Sequence, residues 1–263
     1  MDVAESMVVR MSADAGGCMK MIWASPTYGP VDSQALRSQR LAIMHASQHG
    51  VEWLGDASPE RMKFDVARNA VAKEAVNSEA DYVFWCDSDI ILPPWAISRI
   101  SSYEKDFITG IYFQRVKPHW PLIAQFTGKS FNWLIRWEPD MLLPIDGCGF
   151  GCVLTSVKML RDIAKHDTDG TEWFKYVKYS EDFDFCLKAK AAGYQLWVDT
   201  GVLCGHLPDP EAVTFETYQK THPEFFGGNG HGTIRPGTES GDVGNAGSTE
   251  GRERAEDVSP VGV

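Results

Sequence analysis

The sequence predicts an α/β fold: a mostly parallel sheet flanked by helices, with a smaller antiparallel region. Three observations carry that prediction. Short apolar, β-branched or aromatic runs alternate with helical segments from residue 20 to about 113, the pattern of strand–helix–strand units. The alternation then breaks: 114–146 is rich in Trp, Pro and Arg and lacks helical periodicity. Finally, 263 residues with 43% hydrophobic and 23% charged side chains suit one soluble catalytic domain with a substantial core.

The elements follow in order. Residues 20–25 (KMIWAS) form a short apolar run that meets Pro26-Thr27-Tyr28-Gly29-Pro30, a strand ending in a loop. Residues 33–48 read as a helix, with Leu36, Arg40, Ile43 and Met44 in steps of three and four, and Gly50 stops it. A second strand begins at Val51. The segment 64–76 is the next helix, with Val66, Ala70 and Val71 on one side. DYVFWC, 81–86, is the clearest strand. Pro93-Pro94 precedes a helix at 95–101, since proline suits a first helical turn. A strand at 107–113 completes the first half.

In the second half, 147–154 (GCGFGCVL) is glycine-rich and then apolar. Helices are expected at 156–165 and 180–192, the latter stopped by Gly193. A strand follows at 194–198, and 203–206 closes the ordered core. From about residue 227 the chain is dominated by Gly, Ser, Thr, Glu and Asp, too polar to offset its ordering entropy. The expected organisation is a flexible leader at 1–17, a catalytic domain at 18–235, and a disordered acidic tail at 236–263.

The formal charge is −11. Six acids and two bases in 236–263 account for −4 of it, leaving −7 on the rest. Such a chain does not resemble a general nucleic-acid binder, and it suits recruitment of divalent cations. Its six cysteines are scattered without a C-x-x-C pair, so neither a disulfide framework nor a zinc site at Cys148 and Cys152 is expected. The N-terminus lacks the apolar run of a signal peptide, and no stretch is long enough to span a membrane. These features predict a reduced, cytoplasmic protein.

The chemistry-bearing residues lie at predicted strand ends, where open α/β sheets bind ligands. Asp87 and Asp89, flanking Ser88, end the DYVFWC strand. Side chains two apart on an extended chain point to one side, and two carboxylates make a hard oxygen site for Mg²⁺ or Mn²⁺ completed by substrate phosphates. Glu181 and Asp182 open the helix at 180–192. Acids there suit the helix dipole, and a carboxylate at the sheet's mouth can also act as a general base. His206 follows the last strand, and its imidazole suits completion of a carboxylate-rich Mn²⁺ site. Trp120, Trp133 and Trp137 are either core filler, the preferred reading, or stacking surfaces. His45 and His49 read as a solvated helix face, and Asp167-Thr168-Asp169-Gly170 as a turn.

At this point a resemblance emerges. ARNAVAKEAVNSEADYVFWCDSDI, 67–90, resembles the helix–strand–D-x-D unit of GT-A glycosyltransferases, particularly the inverting family 2 enzymes and their bacterial and phage relatives. SEDFDFCLKAKAAGYQLWVD, 180–199, resembles their E-D-x-x-F segment, SPTYG at 25–29 their nucleotide entry, and Gly205-His206 their terminal metal histidine. The four motifs occur in family order over about 20–206. The resemblance implies a GT-A, Rossmann-like fold. It places Pro26, Thr27 and Tyr28 near the nucleobase or ribose, Arg68 and Asn69 close to the donor, and Asp87 with Ser88 at the ribose and diphosphate. It makes Asp87, Asp89 and His206 the metal group and Asp182 the base, with Glu181 beside it. Gly147-Cys148-Gly149-Phe150-Gly151 departs slightly from the family's acceptor-side motif. The Q-x-x-R-W motif of processive synthases is absent.

The expected activity is transfer of a sugar from a UDP- or GDP-sugar donor to an acceptor hydroxyl, dependent on Mn²⁺ or Mg²⁺ and inverting. The acceptor is a glycan, a protein Ser/Thr or, least favoured by the acidic charge, a modified DNA base. Two alternatives remain: metal-dependent nucleotidyl or phosphoryl transfer, although a Walker-type loop is missing, and non-catalytic nucleotide-sugar binding on the same fold.

Overall fold

A computed structural model describes residues 18–166, 172–207 and 213–226. The leader at 1–17, the turn at 167–170 and the tail at 236–263 lie outside them.

The first half alternates as expected. Strand β1 (Met19–Ala24) leads to helix α1 (Ser33–Ser47), β2 (Val51–Asp56), α2 (Phe64–Val76), β3 (Tyr82–Trp85), the two-residue β4 (Ile90–Ile91), α3 (Ala96–Ser101) and β5 (Phe107–Ile111). The second half holds β6 (Ile123–Phe126), β7 (Phe131–Trp133), β8 (Leu142–Ile145), β9 (Gly147–Cys148), β10 (Val153–Ser156) and α4 (Val157–His166). After these come α5 (Glu181–Ala191), β11 (Leu196–Leu203), β12 (Gly205–His206), α6 (Phe215–Thr221) and α7 (Pro223–Phe226).

The main sheet runs β2-β1-β3-β10-β5-β11-β8. β1 pairs parallel with β2 and β3, and β5 parallel with β11. β10 lies antiparallel between β3 and β5, and β8 runs antiparallel along β11. The result is a mixed α/β sheet flanked by helices, consistent with a Rossmann-like, GT-A-type arrangement. The antiparallel members come from the segments where the strand–helix alternation breaks. A strand that returns without a helical crossover must enter antiparallel. The smaller sheets are β7-β6-β9 and the ribbon β12-β4.

Two helices bury faces other than those their large side chains suggest. In α1 the buried face is Ala35, Gln39, Ala42 and Ala46, while Leu36, Leu41 and Met44 are exposed. In α2 it is Ala67, Arg68, Val71, Ala72 and Ala75; Val66 and Ala70 face outward. Alanines permit close approach of helix to sheet, and in α2 that orientation turns Arg68 inward. Gly193, with φ +90°, ends α5 in the left-handed conformation foreseen for it.

The structured chain also continues past 206. His206 exchanges backbone hydrogen bonds with Val213, and Tyr218 of α6 is fully buried. The sequence reading ended the core too early because α6 has only 7 residues, below the length at which periodicity is legible.

Candidate functional site

β1 and β3 run parallel, so the loops after Ala24 and Trp85 emerge at one edge of the sheet. Arg68 of α2 reaches from beside that edge to the first turn of α5. Arg68 is the hinge of this arrangement. Its Nη2 donates to Asp87 Oδ1 at 3.0 Å, and its Nη1 pairs with the carboxylates of both Glu181 and Asp182. The guanidinium is buried among the rings of Phe64, Phe150 and Phe174, 5.4–5.9 Å from their centroids. Residues far apart in sequence thus form one ion cluster with three acids and one base.

That imbalance shows in the protonation energetics. Burial pushes the Asp182 carboxyl well above its ordinary range; Arg68 opposes the shift, while Glu181 and Asp87 reinforce it. Burial also raises Asp87, against the pull of Arg68. Asp182 Oδ2 accepts from the Phe150 backbone N–H at 3.3 Å.

Asp89 belongs to a second group. β12 pairs with β4 so that His206 lies opposite Ile90, and Leu207 N–H donates to the Asp89 carbonyl at 3.0 Å. This ribbon brings His206 Nε2 to 3.4 Å from Asp89 Oδ2, with Arg115 Nη1 at 3.3 Å from the same oxygen. Burial works against ionisation of Asp89, but the hydrogen bond and charge of His206, then the charge of Arg115, hold its carboxyl below the usual range. His206 Nδ1 lies 2.6 Å from the Phe113 carbonyl. A carbonyl can only accept, so Nδ1 carries the proton and Nε2 is the nitrogen turned toward Asp89.

Beneath both groups sits Tyr112, buried, with its ring edge-on to His206 at 5.3 Å. Its hydroxyl accepts from Gly151 N–H at 3.0 Å. A Cβ at Gly149 would come within 2.0 Å of that oxygen, and one at Gly151 within 2.7 Å of Cζ. Gly149 and Gly151 therefore let the chain pass over Tyr112, while Gly147 makes room for the Phe131 and Phe183 rings. Gln39 ties the Asp87 loop down from below, donating to the carbonyls of Asp87 and Ile90 at 3.0 Å each. Tyr112, Arg115 and Gln39 escaped the sequence reading; only the glycines above Tyr112 gave any signal.

No family model matches this chain, and no curated protein does. Among solved structures, A197 from STIV superposes with a TM-score of 0.52 at 14% identity, over 75% of this chain and 91% of its own. The inositol-1-phosphate CTP transferase from T. maritima gives 0.43 at 12% identity, over 81% and 98%. GalNAc-T7 with UDP, GalNAc and Mn²⁺ gives 0.43 at 9%, over 81% and 49%. The first likeness is one of fold alone, and the other two are too weak to decide anything.

The remaining candidates are spread around this centre. Pro26 is buried, Thr27 bridges to Glu60, and Tyr28 projects into solvent. Ser88 lies half-buried between the two aspartates. Asn69 is engaged elsewhere: its amide donates to the Phe174 carbonyl at 2.7 Å and accepts from the Phe174 N–H at 2.9 Å. Among the described residues no group of three or more His, Cys, Asp and Glu converges as a metal cluster, because Asp87 turns to Arg68 while Asp89 turns to His206. Trp133 packs on Phe183, Trp137 on Tyr218 and Trp120 on His222, so all three are core or near-core. His45 and His49 stack on each other at 4.0 Å. All six cysteines are free, and Cys148 lies against Cys186 rather than Cys152. No helix among the described residues is long and apolar enough to cross a membrane.

Proposed function

We propose that this chain is a metal-dependent glycosyltransferase. It moves a sugar from a UDP- or GDP-sugar to an acceptor hydroxyl, within a catalytic domain at 18–235. The observation that carries the reading is the convergence of Asp87, Glu181 and Asp182 on buried Arg68, beside the Asp89–His206 pair, at the edge where β1 and β3 end.

The donor set fits a hard divalent ion such as Mn²⁺ or Mg²⁺. Asp89 and the Nε2 of His206 offer two adjoining ligand atoms, and Asp87, largely buried, lies two residues before Asp89. Such ions commonly take one or two carboxylates and leave the rest to phosphates, so a three-residue cluster is not required. A bound ion would neutralise the diphosphate and ease its departure. Pro26, Thr27 and Tyr28, with Arg68, Asn69 and Ser88, are the proposed donor-side residues. Asn69 acts there only as a support, holding Phe174 against the Arg68 guanidinium.

Asp182 is the base. It takes the acceptor's hydroxyl proton as that oxygen attacks the anomeric carbon and the bond to the diphosphate breaks on the opposite face, inverting the centre. Its raised proton affinity suits this task. Arg68 holds it in place, with Glu181 as a neighbour.

The test is calorimetric titration of UDP and GDP with and without Mn²⁺, in the wild type and in Asp89→Ala. The expected outcome is nucleotide binding that needs Mn²⁺ and is lost in the variant, followed by metal-dependent nucleotide release from one member of a nucleotide-sugar panel. Equal affinity in all four conditions sinks the metal role.

A further inference from the structure

We propose that Tyr176, Val177 and Phe64 form a platform for an uncharged pyranose, which is the acceptor; this rests on the transferase reading above. The three are among the exposed large apolar side chains, at 49%, 70% and 43% of full accessibility. Phe64 and Tyr176 border the ion cluster. The Phe64 ring stands 5.4 Å from the Arg68 guanidinium. The Tyr176 phenol is held protonated first by its partial burial and then by the neighbouring Glu181 carboxylate.

What singles out this surface is how firmly it is presented. Asp184 is buried, and one oxygen of it accepts the backbone N–H groups of Val177, Lys178 and Tyr179 at 2.7, 3.0 and 3.0 Å. Asn69 clamps Phe174 on the other side of Tyr176 through both of its amide functions. A buried carboxylate and a two-way amide clamp thus fix a six-residue stretch whose centre turns Tyr176 and Val177 to water. Loops that only connect elements need no such anchoring. Rigid, exposed rings beside a carboxylate base are what a pyranose needs: its apolar C–H face rests on an aromatic ring while its hydroxyls reach polar groups at the rim.

The charge balance selects the chemistry. Three carboxylates gather on one guanidinium here. Of the neighbouring lysines, Lys175 is paired with Glu172, while Lys178 keeps its charge and donates to the Lys129 carbonyl. An acceptor carrying phosphates would meet the surplus of acids over the one guanidinium at the cluster itself, so the neutral sugar is favoured there over a nucleic acid.

The experiment is saturation-transfer NMR on the full chain with UDP and Mn²⁺ present. The probes are methyl pyranosides of glucose, galactose, mannose and N-acetylglucosamine, with thymidine and adenosine as the flat-base arm. At least one pyranoside is expected to bind. Its affinity should fall about tenfold in Tyr176→Ala, the scale of one lost stacking contact plus its buried area. Val177→Ser should weaken it in the same direction, and Tyr176→Phe should largely restore it. Binding of nucleosides but no pyranoside overturns the proposal, as does equal affinity in wild type and Tyr176→Ala. Failure of the nucleotide–Mn²⁺ titration would instead strike the transferase reading, and the pyranoside titrations are read separately from it.

Discussion

At the scale of single residues, the site turns on one guanidinium facing three carboxylates. Arg68 is almost wholly buried, so removing its charge leaves acids without their counter-ion in a place water scarcely reaches. Arg68→Gln is therefore expected to cost about 3–5 kcal/mol, the range for breaking a buried pair from one side, read as a lowered urea midpoint. Asp182→Asn should behave in the opposite way. The Asp182 carboxyl titrates well above its usual range, with burial the largest cause. A raised carboxyl favours the fold in its protonated form, and that contribution is lost as pH rises through the raised value. Above the ordinary aspartate range the carboxyl is thus a liability to the fold, and the neutral isostere should leave the melting temperature at neutral pH unchanged or higher. Turnover should nonetheless fall about 10²–10⁴-fold, because the proposed base is gone. In the wild type, kcat/KM should fall as pH drops through the raised value, an acidic limb lying above the ordinary aspartate range of about 3.9. Residual activity of Asp182→Asn should lack that limb. A variant that loses stability and keeps turnover would recast Asp182 as a support of the helix start.

At the scale of elements, the sequence made α2, β3 and α5 legible because each has a full period and clear ends. It could not show which face α2 buries. Val66 and Val71 suggested an apolar side, whereas the packing selected Ala67, Val71 and Ala75, with Arg68 among them. Hydrophobicity alone does not announce a buried arginine whose partners lie 19, 113 and 114 residues away. The aspartates and His206 were legible as motif residues; Tyr112 and Arg115 were not, since they act through tertiary contacts. The glycine run at 147–151 is the element whose meaning the structure supplies. Gly149→Ala would drive a methyl group to 2.0 Å from the Tyr112 hydroxyl oxygen, and overpacking of that kind costs about 1–3 kcal/mol. Tyr112→Phe removes that oxygen and forfeits one hydrogen bond from Gly151, about 1 kcal/mol. Together the two changes should cost less than their sum, because the next neighbours of the new methyl stand at 3.0 and 3.6 Å. Urea unfolding of the double-mutant cycle checks this. Strict additivity would show that the clash with Tyr112 is not why glycine is needed.

At the scale of the whole molecule, the site depends on the last described segment as well as on the sheet. Val213 pairs with His206. Tyr218 stacks on Phe113 at 5.1 Å and donates its hydroxyl to the Ile135 carbonyl at 2.6 Å. His222 reaches the Pro118 carbonyl at 2.7 Å and stacks on Trp120 at 4.4 Å. These bonds secure both sides of 113–137, including the Phe113 carbonyl that orients His206 and the stretch that brings Arg115 to Asp89. Two truncations should consequently diverge. Removing 236–263 takes away a polar stretch carrying −4 of the net charge; we propose that it adds nothing to the core, so melting temperature and Mn²⁺-dependent nucleotide binding should be unchanged. Removing everything after Leu207 strips α6 and α7 from Phe113, Trp120 and Trp137. The loss of a buried aromatic alone costs about 3–5 kcal/mol, and a chain of this size loses about 2–4 °C per kcal/mol. The shorter protein should therefore melt roughly 10 °C lower or fail to fold, with nucleotide binding abolished. The milder Tyr218→Leu keeps the test informative if that truncation is insoluble. It should lower both stability and Mn²⁺ affinity, because the Phe113 carbonyl loses its support. Unchanged Mn²⁺ affinity in Tyr218→Leu would separate the C-terminal helices from the site and leave them a purely structural role.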